Sequence, residues 1–129
     1  MKLAELFESS SELGPMEHAF WQNTRGPNNT PGASLHYIQD EEAWGKHILA
    51  DATEKGEDRR IKNIEQNMER GQYDKGKFSH PSFDWWMSKE AFEKGDKGFG
   101  GMTKERVMQE NPKLKIHDSG REAIKAAGF

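Results

Sequence analysis

The sequence predicts a mainly α fold: one small domain over residues 1–129, of short helices joined by Gly/Pro-rich loops, with at most a minor extended strand. Three observations carry that expectation. Val107 is the single valine, so the β-branched residues that suit a pleated, half-buried surface are scarce. Helix-start and helix-stop residues recur, with Ser82, Thr103 and Ser119 as caps and Gly56, Gly71 and Gly95 as stops. The large apolar side chains also fall three and four residues apart, the spacing of one helical face.

Taken in order, residues 2–10 read as a short amphipathic helix with Leu3, Leu6 and Phe7 on one side. Gly14-Pro15 punctuates, and Pro15 suits the first turn of a second helix bearing Met16, Ala19 and Phe20, with Trp21 beside them. Residues 25–34, RGPNNTPGAS, read as a flexible or partner-ordered loop. Leu35 to Ile38 read as a brief extended piece. Asp40, Glu41 and Glu42 place negative charge at a helix start; Trp44, Ile48 and Ala52 then form a stripe ended by Gly56. Residues 57–70 form a helix with a thin seam of Ile61, Ile64 and Met68.

The stretch from Lys77 to Gly101 gathers most of the large apolar surface. Ser82 is read as a cap, followed by Phe83, Trp86 and Met87 at i, i+3 and i+4; Trp85 lies off that face. Gly95 ends the helix, and Phe99 sits in a loop between two glycines. Thr103 caps a helix to about Glu110, with Met102 and Val107 as a hydrophobic staple. Asn111-Pro112 ends it, Lys113 to His117 alternates as a short edge strand, and Ser119 to Glu122 is a capping box for the last helix.

Composition narrows the function. Leu, Ile, Val and Phe make up about 15% of the chain, which is below the ordinary globular level of roughly 20%. Aromatics are nonetheless plentiful and the net charge is only −3, so the expectation is local clusters that finish their burial against another subunit. The absence of cysteine excludes disulfides, a thiol nucleophile and thiolate metal sites. No two of the five histidines lie three or four residues apart, so the helical zinc-enzyme pattern is missing. His47 with Asp51, four residues on, and His80 near Asp84 are the only acid–base pairings worth naming. No serine has a nucleophile-elbow context, and the Gly95–Gly101 run lacks the G-K-[ST] ending of a phosphate loop. No catalytic residue, metal or cofactor is expected, and the chain is read as not an enzyme.

Two uses of the surface remain. Phe83, Trp85, Phe92 and Phe99 are the expected partner-binding residues of a non-enzymatic protein–protein interaction or structural subunit. The alternative is a nucleic-acid-associated protein using Arg59, Arg60, Lys75 and Lys77 with Trp85 or Trp86 for stacking. Acidic neighbours such as Glu57, Asp58 and Glu65 and a pI near 6.0 weigh against a large positive field. The opening Met1-Lys2-Leu3-Ala4-Glu5-Leu6-Phe7-Glu8 resembles the beginnings of small proteins encoded by tailed bacteriophages. That resemblance covers eight residues and implies a virion component or accessory factor, in the cytoplasm or the virion, with no catalytic residue carried over.

Overall fold

The computed structural model describes residues 16–129; the predicted helix at 2–10 and the Gly14-Pro15 joint lie outside the described residues. Of the described residues 42% are helical and 24% are in strands. The fold is therefore α/β, and the mainly α expectation is corrected. The chain divides into two compact units where the sequence offered no boundary. One is formed by Gln39–Ser79, the other by residues 16–38 together with His80–Phe129.

The second unit is built on a four-stranded mixed sheet. Strand β1 (His18–Arg25) pairs antiparallel with β2 (Pro31–Tyr37), matching Trp21 to Leu35 and Phe20 to His36. Of the stretch predicted as a helix from Met16 to Trp21, His18–Trp21 is thus strand. Its consecutive apolar residues suit a strand covered on both faces, a pattern that periodicity alone does not separate from a helix. Residues 27–29 make a 3-10 turn, and Arg25 and Pro31–Ser34 belong to the ladder. The predicted flexible loop is therefore a hairpin connection. Asn28 and Asn29 supply its left-handed φ values of 56° and 60°, which asparagine tolerates better than most residues.

The largest correction falls on the aromatic stretch. Ser82–Trp86 is not a helix but edge strand β5, antiparallel to β2. The register shifts between Leu35, opposite Asp84, and His36, opposite Ser82. Phe83 is the extra residue of this bulge. Phe83 packs on the core cluster that contains Trp86, so two core contacts lie three residues apart on a strand. That spacing imitates a helix. Ser88, not Ser82, is the helix cap here: its hydroxyl accepts from the Ala91 amide.

Within this unit the core comprises Ala19, Leu35, Trp86, Phe92, Val107 and Leu114. Phe92 comes from the short helix Lys89–Glu93, and Val107 from the helix Lys104–Glu110, capped by Thr103 as predicted. Trp86 meets Trp21 and Phe92 edge-on, at centroid distances of 5.8 and 4.8 Å. The predicted edge strand is β6 (Lys115–His117), parallel to β1. The last helix, Gly120–Ala126, is capped by Ser119 as the capping box requires, and packs against β1 and β6.

The other unit is a helical hairpin. Its helices, α1 (Glu41–Glu54) and α2 (Asp58–Glu69), fall where the sequence predicts them, and we number the remaining three α3 (Lys89–Glu93), α4 (Lys104–Glu110) and α5 (Gly120–Ala126). Asp40 caps α1 by accepting from the Glu42 amide. Gly56, at φ 66°, turns the chain between the helices. Ala52 and Ile64 are buried, and Gly45 leaves room for the Tyr73 ring, which a Cβ would strike. Two short strands, β3 (Gln39–Asp40) and β4 (Phe78–Ser79), close the base. Among the described residues no helix is long and apolar enough to cross a membrane.

Candidate functional site

Beside the sheet lies the loop 96–102, and Asp84 organises it. One carboxylate oxygen of Asp84 accepts from the amides of Trp85 and Gly100, both at 2.7 Å; the other accepts from the Met102 amide at 2.9 Å. Gly98 lies against the same carboxylate, with no space for a Cβ. The loop closes on itself through Gly98 N–H to Met102 O at 2.7 Å and Gly101 N–H to Gly98 O at 2.9 Å. It also ties to the free edge of β5, since the Phe99 amide donates to Trp85 O at 2.8 Å and the Trp86 indole to Asp96 O at 3.0 Å. An edge carbonyl that would otherwise invite a foreign strand is thereby occupied.

From this clamped backbone the Phe99 side chain projects into solvent, 74% exposed; Met87, two residues beyond Trp85, is 63% exposed. They are the exposed large hydrophobics among the described residues. The other expected partner residues have different surroundings. Phe92 is fully buried and serves the core. Phe83 is half-buried, its ring 4.6 Å from that of Tyr37. Trp85 is half-buried too, with its indole across Gly26 and Gly32, where a Cβ on either glycine would overlap it, and its N–H donates to Thr24 O at 3.2 Å. Of the four, Phe99 alone stands clear of the protein.

The four basic residues of the nucleic-acid alternative all fall in the helical-hairpin unit. Arg60 is engaged by Asp51 at 2.8 Å and Glu57 at 3.7 Å, and Lys77 donates to Gly71 O at 2.6 Å. Arg59 and Lys75 are exposed. The stacking residues belong to the sheet unit, where Trp86 is buried and Trp85 is pinned. The His47–Asp51 pairing is not made: Asp51 turns to Arg60 and Lys55, which hold its carboxyl below the usual range, Arg60 contributing most. His47 Nδ1 is buried and has no hydrogen-bond partner among the described residues.

A group of residues of which the sequence singled out only His80 lines the sheet face opposite the core. The His80–Asp84 pairing is not made, since Asp84 accepts from the amides of Trp85, Gly100 and Met102. Thr24, Ser34 and His36 form a chain of hydrogen bonds that ends on His80 O. Phe20 stacks on His36, and His80 meets it edge-on. His18 Nδ1 and His117 Nε2 lie 3.0 Å apart, so one ring must accept from the other. Burial, then the neighbouring His18 and Lys115, lower the pKa of His117, against weaker opposing effects of Glu122 and Asp118. A folded pKa below the unfolded one favours the neutral ring, so its stabilising contribution is complete above about pH 6.5 and is lost as pH falls through the folded value. Thermal melts just below pH 6.5 should therefore show stability dropping with acidification, and His117→Gln should flatten that drop. An unchanged slope in the variant would assign the effect to other groups. No local pattern marked this face, because Ala19, Phe20 and Trp21 are consecutive apolar residues without the alternation of a half-buried strand.

Among the described residues there is no cluster of three or more His, Cys, Asp or Glu able to hold a metal. Comparison with protein-family models, with curated proteins and with solved structures yields no match for this chain.

Proposed function

We propose that the chain is a non-catalytic protein-binding module that inserts Phe99 into an apolar pocket on another polypeptide, as a subunit of a larger assembly. The observation that carries this is the 74% exposure of Phe99 on a loop fixed by Asp84. An exposed phenyl ring gains nothing in the isolated chain and favours association. Aromatic anchors dominate protein interfaces. A loop already clamped loses little conformational freedom on docking, which removes one of the main costs of binding. Truncating such an anchor weakens binding by about 2 kcal/mol or more, roughly 30-fold in Kd.

The test compares wild type with Phe99→Ala, after confirming equal melting temperatures. Sedimentation velocity reads self-association, and co-purification from the native source reads a different partner. The expected result is an assembly larger than the monomer in one of these, weakened roughly 30-fold by Phe99→Ala. A wild-type chain that is monomeric and unaccompanied, or an assembly indifferent to Phe99→Ala, rejects the reading.

A further inference from the structure

We propose that the sheet unit carries a second, independent site, for a small phosphate monoester attached to a planar ring. The site is an open cavity of about 550 Å³ between β1 and α5, within the size range of small-molecule pockets. Its floor is Phe20, only 7% exposed. That ring is held by His36 on one side, by the edge of His80, and by the bare Cα of Gly120, where a Cβ would come within 3.2 Å. The floor is therefore set before any ligand arrives.

The walls divide by chemistry. Ile124 adds apolar surface beside Phe20, while Gln22, two residues along β1, brings an amide to the cavity. Arg121 and Lys125 line the opposite side from α5. They are four residues apart, so they lie on the same helical face. Both are exposed and neither has a salt bridge among the described residues, although Asp118 and Glu122 are close in sequence. Among the described residues no Asp or Glu side chain lines the cavity, which Phe129 also borders.

Two cations set the charge of the ligand. A carboxylate is satisfied by one guanidinium fork, whereas the two charges and three terminal oxygens of a phosphate monoester occupy an arginine and a lysine together. The apolar floor and Ile124 accept a ring, and the Gln22 amide can donate to or accept from a polar ring edge. Nucleotides and simple aryl phosphates share this chemistry.

The experiment titrates the full chain with AMP, phenyl phosphate, benzoate and inorganic phosphate, following amide chemical shifts. Saturable binding of AMP or phenyl phosphate is expected, with shifts at Phe20, Gln22, Arg121 and Lys125 and tighter than inorganic phosphate or benzoate. AMP binding above phenyl phosphate points to a nucleotide, and the reverse to an aryl ester. The double variant Arg121→Gln with Lys125→Gln should weaken binding by roughly tenfold or more, since charge-assisted contacts to phosphate are the strong ones. Gln22→Glu, a change at an exposed position, should weaken it as well, and Phe99→Ala should leave it unaltered. Absence of saturable binding, inorganic phosphate or benzoate binding as tightly as the ring-bearing phosphates, or binding indifferent to the double variant overturns the proposal.

Discussion

Replacing Asp84 by alanine is expected to destabilise the sheet unit by about 3 kcal/mol and to abolish the defined position of Phe99. The carboxylate receives three backbone N–H bonds, from Trp85, Gly100 and Met102. Hydrogen bonds to a charged group contribute roughly 1.5–3 kcal/mol each. The sum is less than three full bonds because Gly100 is exposed and water can replace the carboxylate there. Asp84→Asn keeps the size but offers one oxygen where two are used, so it should lie between wild type and alanine. Denaturant melts read the stability, and amide exchange at Phe99, Gly100 and Met102 reads the loop. The alanine variant should exchange fast at all three. Protected amides in that variant would mean that the loop is held by its own turns and by the Trp85 carbonyl. A free loop would also bind a partner more weakly than wild type with the Phe99 side chain unchanged, which separates the anchor from its mounting.

How much of this was legible in the sequence differs by element. Two of the three caps read, Thr103 and Ser119, were legible because they act within four residues, each accepting from the amide three positions along. The third, Ser82, lies in a strand, and Asp40, read for its charge at a helix start, caps by accepting from the Glu42 amide. The α1–α2 hairpin followed from those local signals and from Gly56. The short edge strand at Lys115–His117 was visible in its alternation. The helix predicted across Phe83, Trp86 and Met87 failed for a long-range reason. A bulge opposite Leu35 and His36 brings Phe83 onto the core beside Trp86, producing three-residue spacing in a strand. At Met16–Trp21 the difficulty was burial of both sheet faces, which removes the alternation that marks a strand. One valine did not preclude a sheet, because Trp, Phe, Tyr and Thr fill the pleated positions instead.

The candidate sites follow the same division. Phe99 stood out because glycines on either side give it nothing local to bury against, and it is indeed exposed. Phe92 was expected at the partner surface, yet α3 turns it wholly into the core. The cavity above Phe20 joins residues about a hundred positions apart, Gln22 with Arg121 and Lys125. Only the parallel pairing of β1 with β6 brings α5 to that face. No local pattern encodes such a meeting.

Trp86→Ala is expected to cost about 4 kcal/mol, the largest loss of any single truncation we anticipate. Trp86 is 1% exposed and its ring touches Trp21 and Phe92, so its removal opens a cavity at the centre of the sheet unit. The variant also strands the carbonyl of Asp96, which accepts the indole N–H at 3.0 Å. The loop bearing Phe99 loses a tether with it. Trp85→Ala should cost less, about 2 kcal/mol, because the indole is half-buried and partly faces water. It is not silent, since Gly26 and Gly32 leave room that only this ring fills. Urea melts of the two variants, compared at constant m-value, measure the difference. Phe92→Leu offers an independent check, because a smaller ring-for-aliphatic change in the same cluster should cost less than Trp86→Ala. Equal losses at Trp85 and Trp86 would mean that the sheet face over the two glycines is as tightly packed as the core, and that Trp85 is a structural wedge of the same rank.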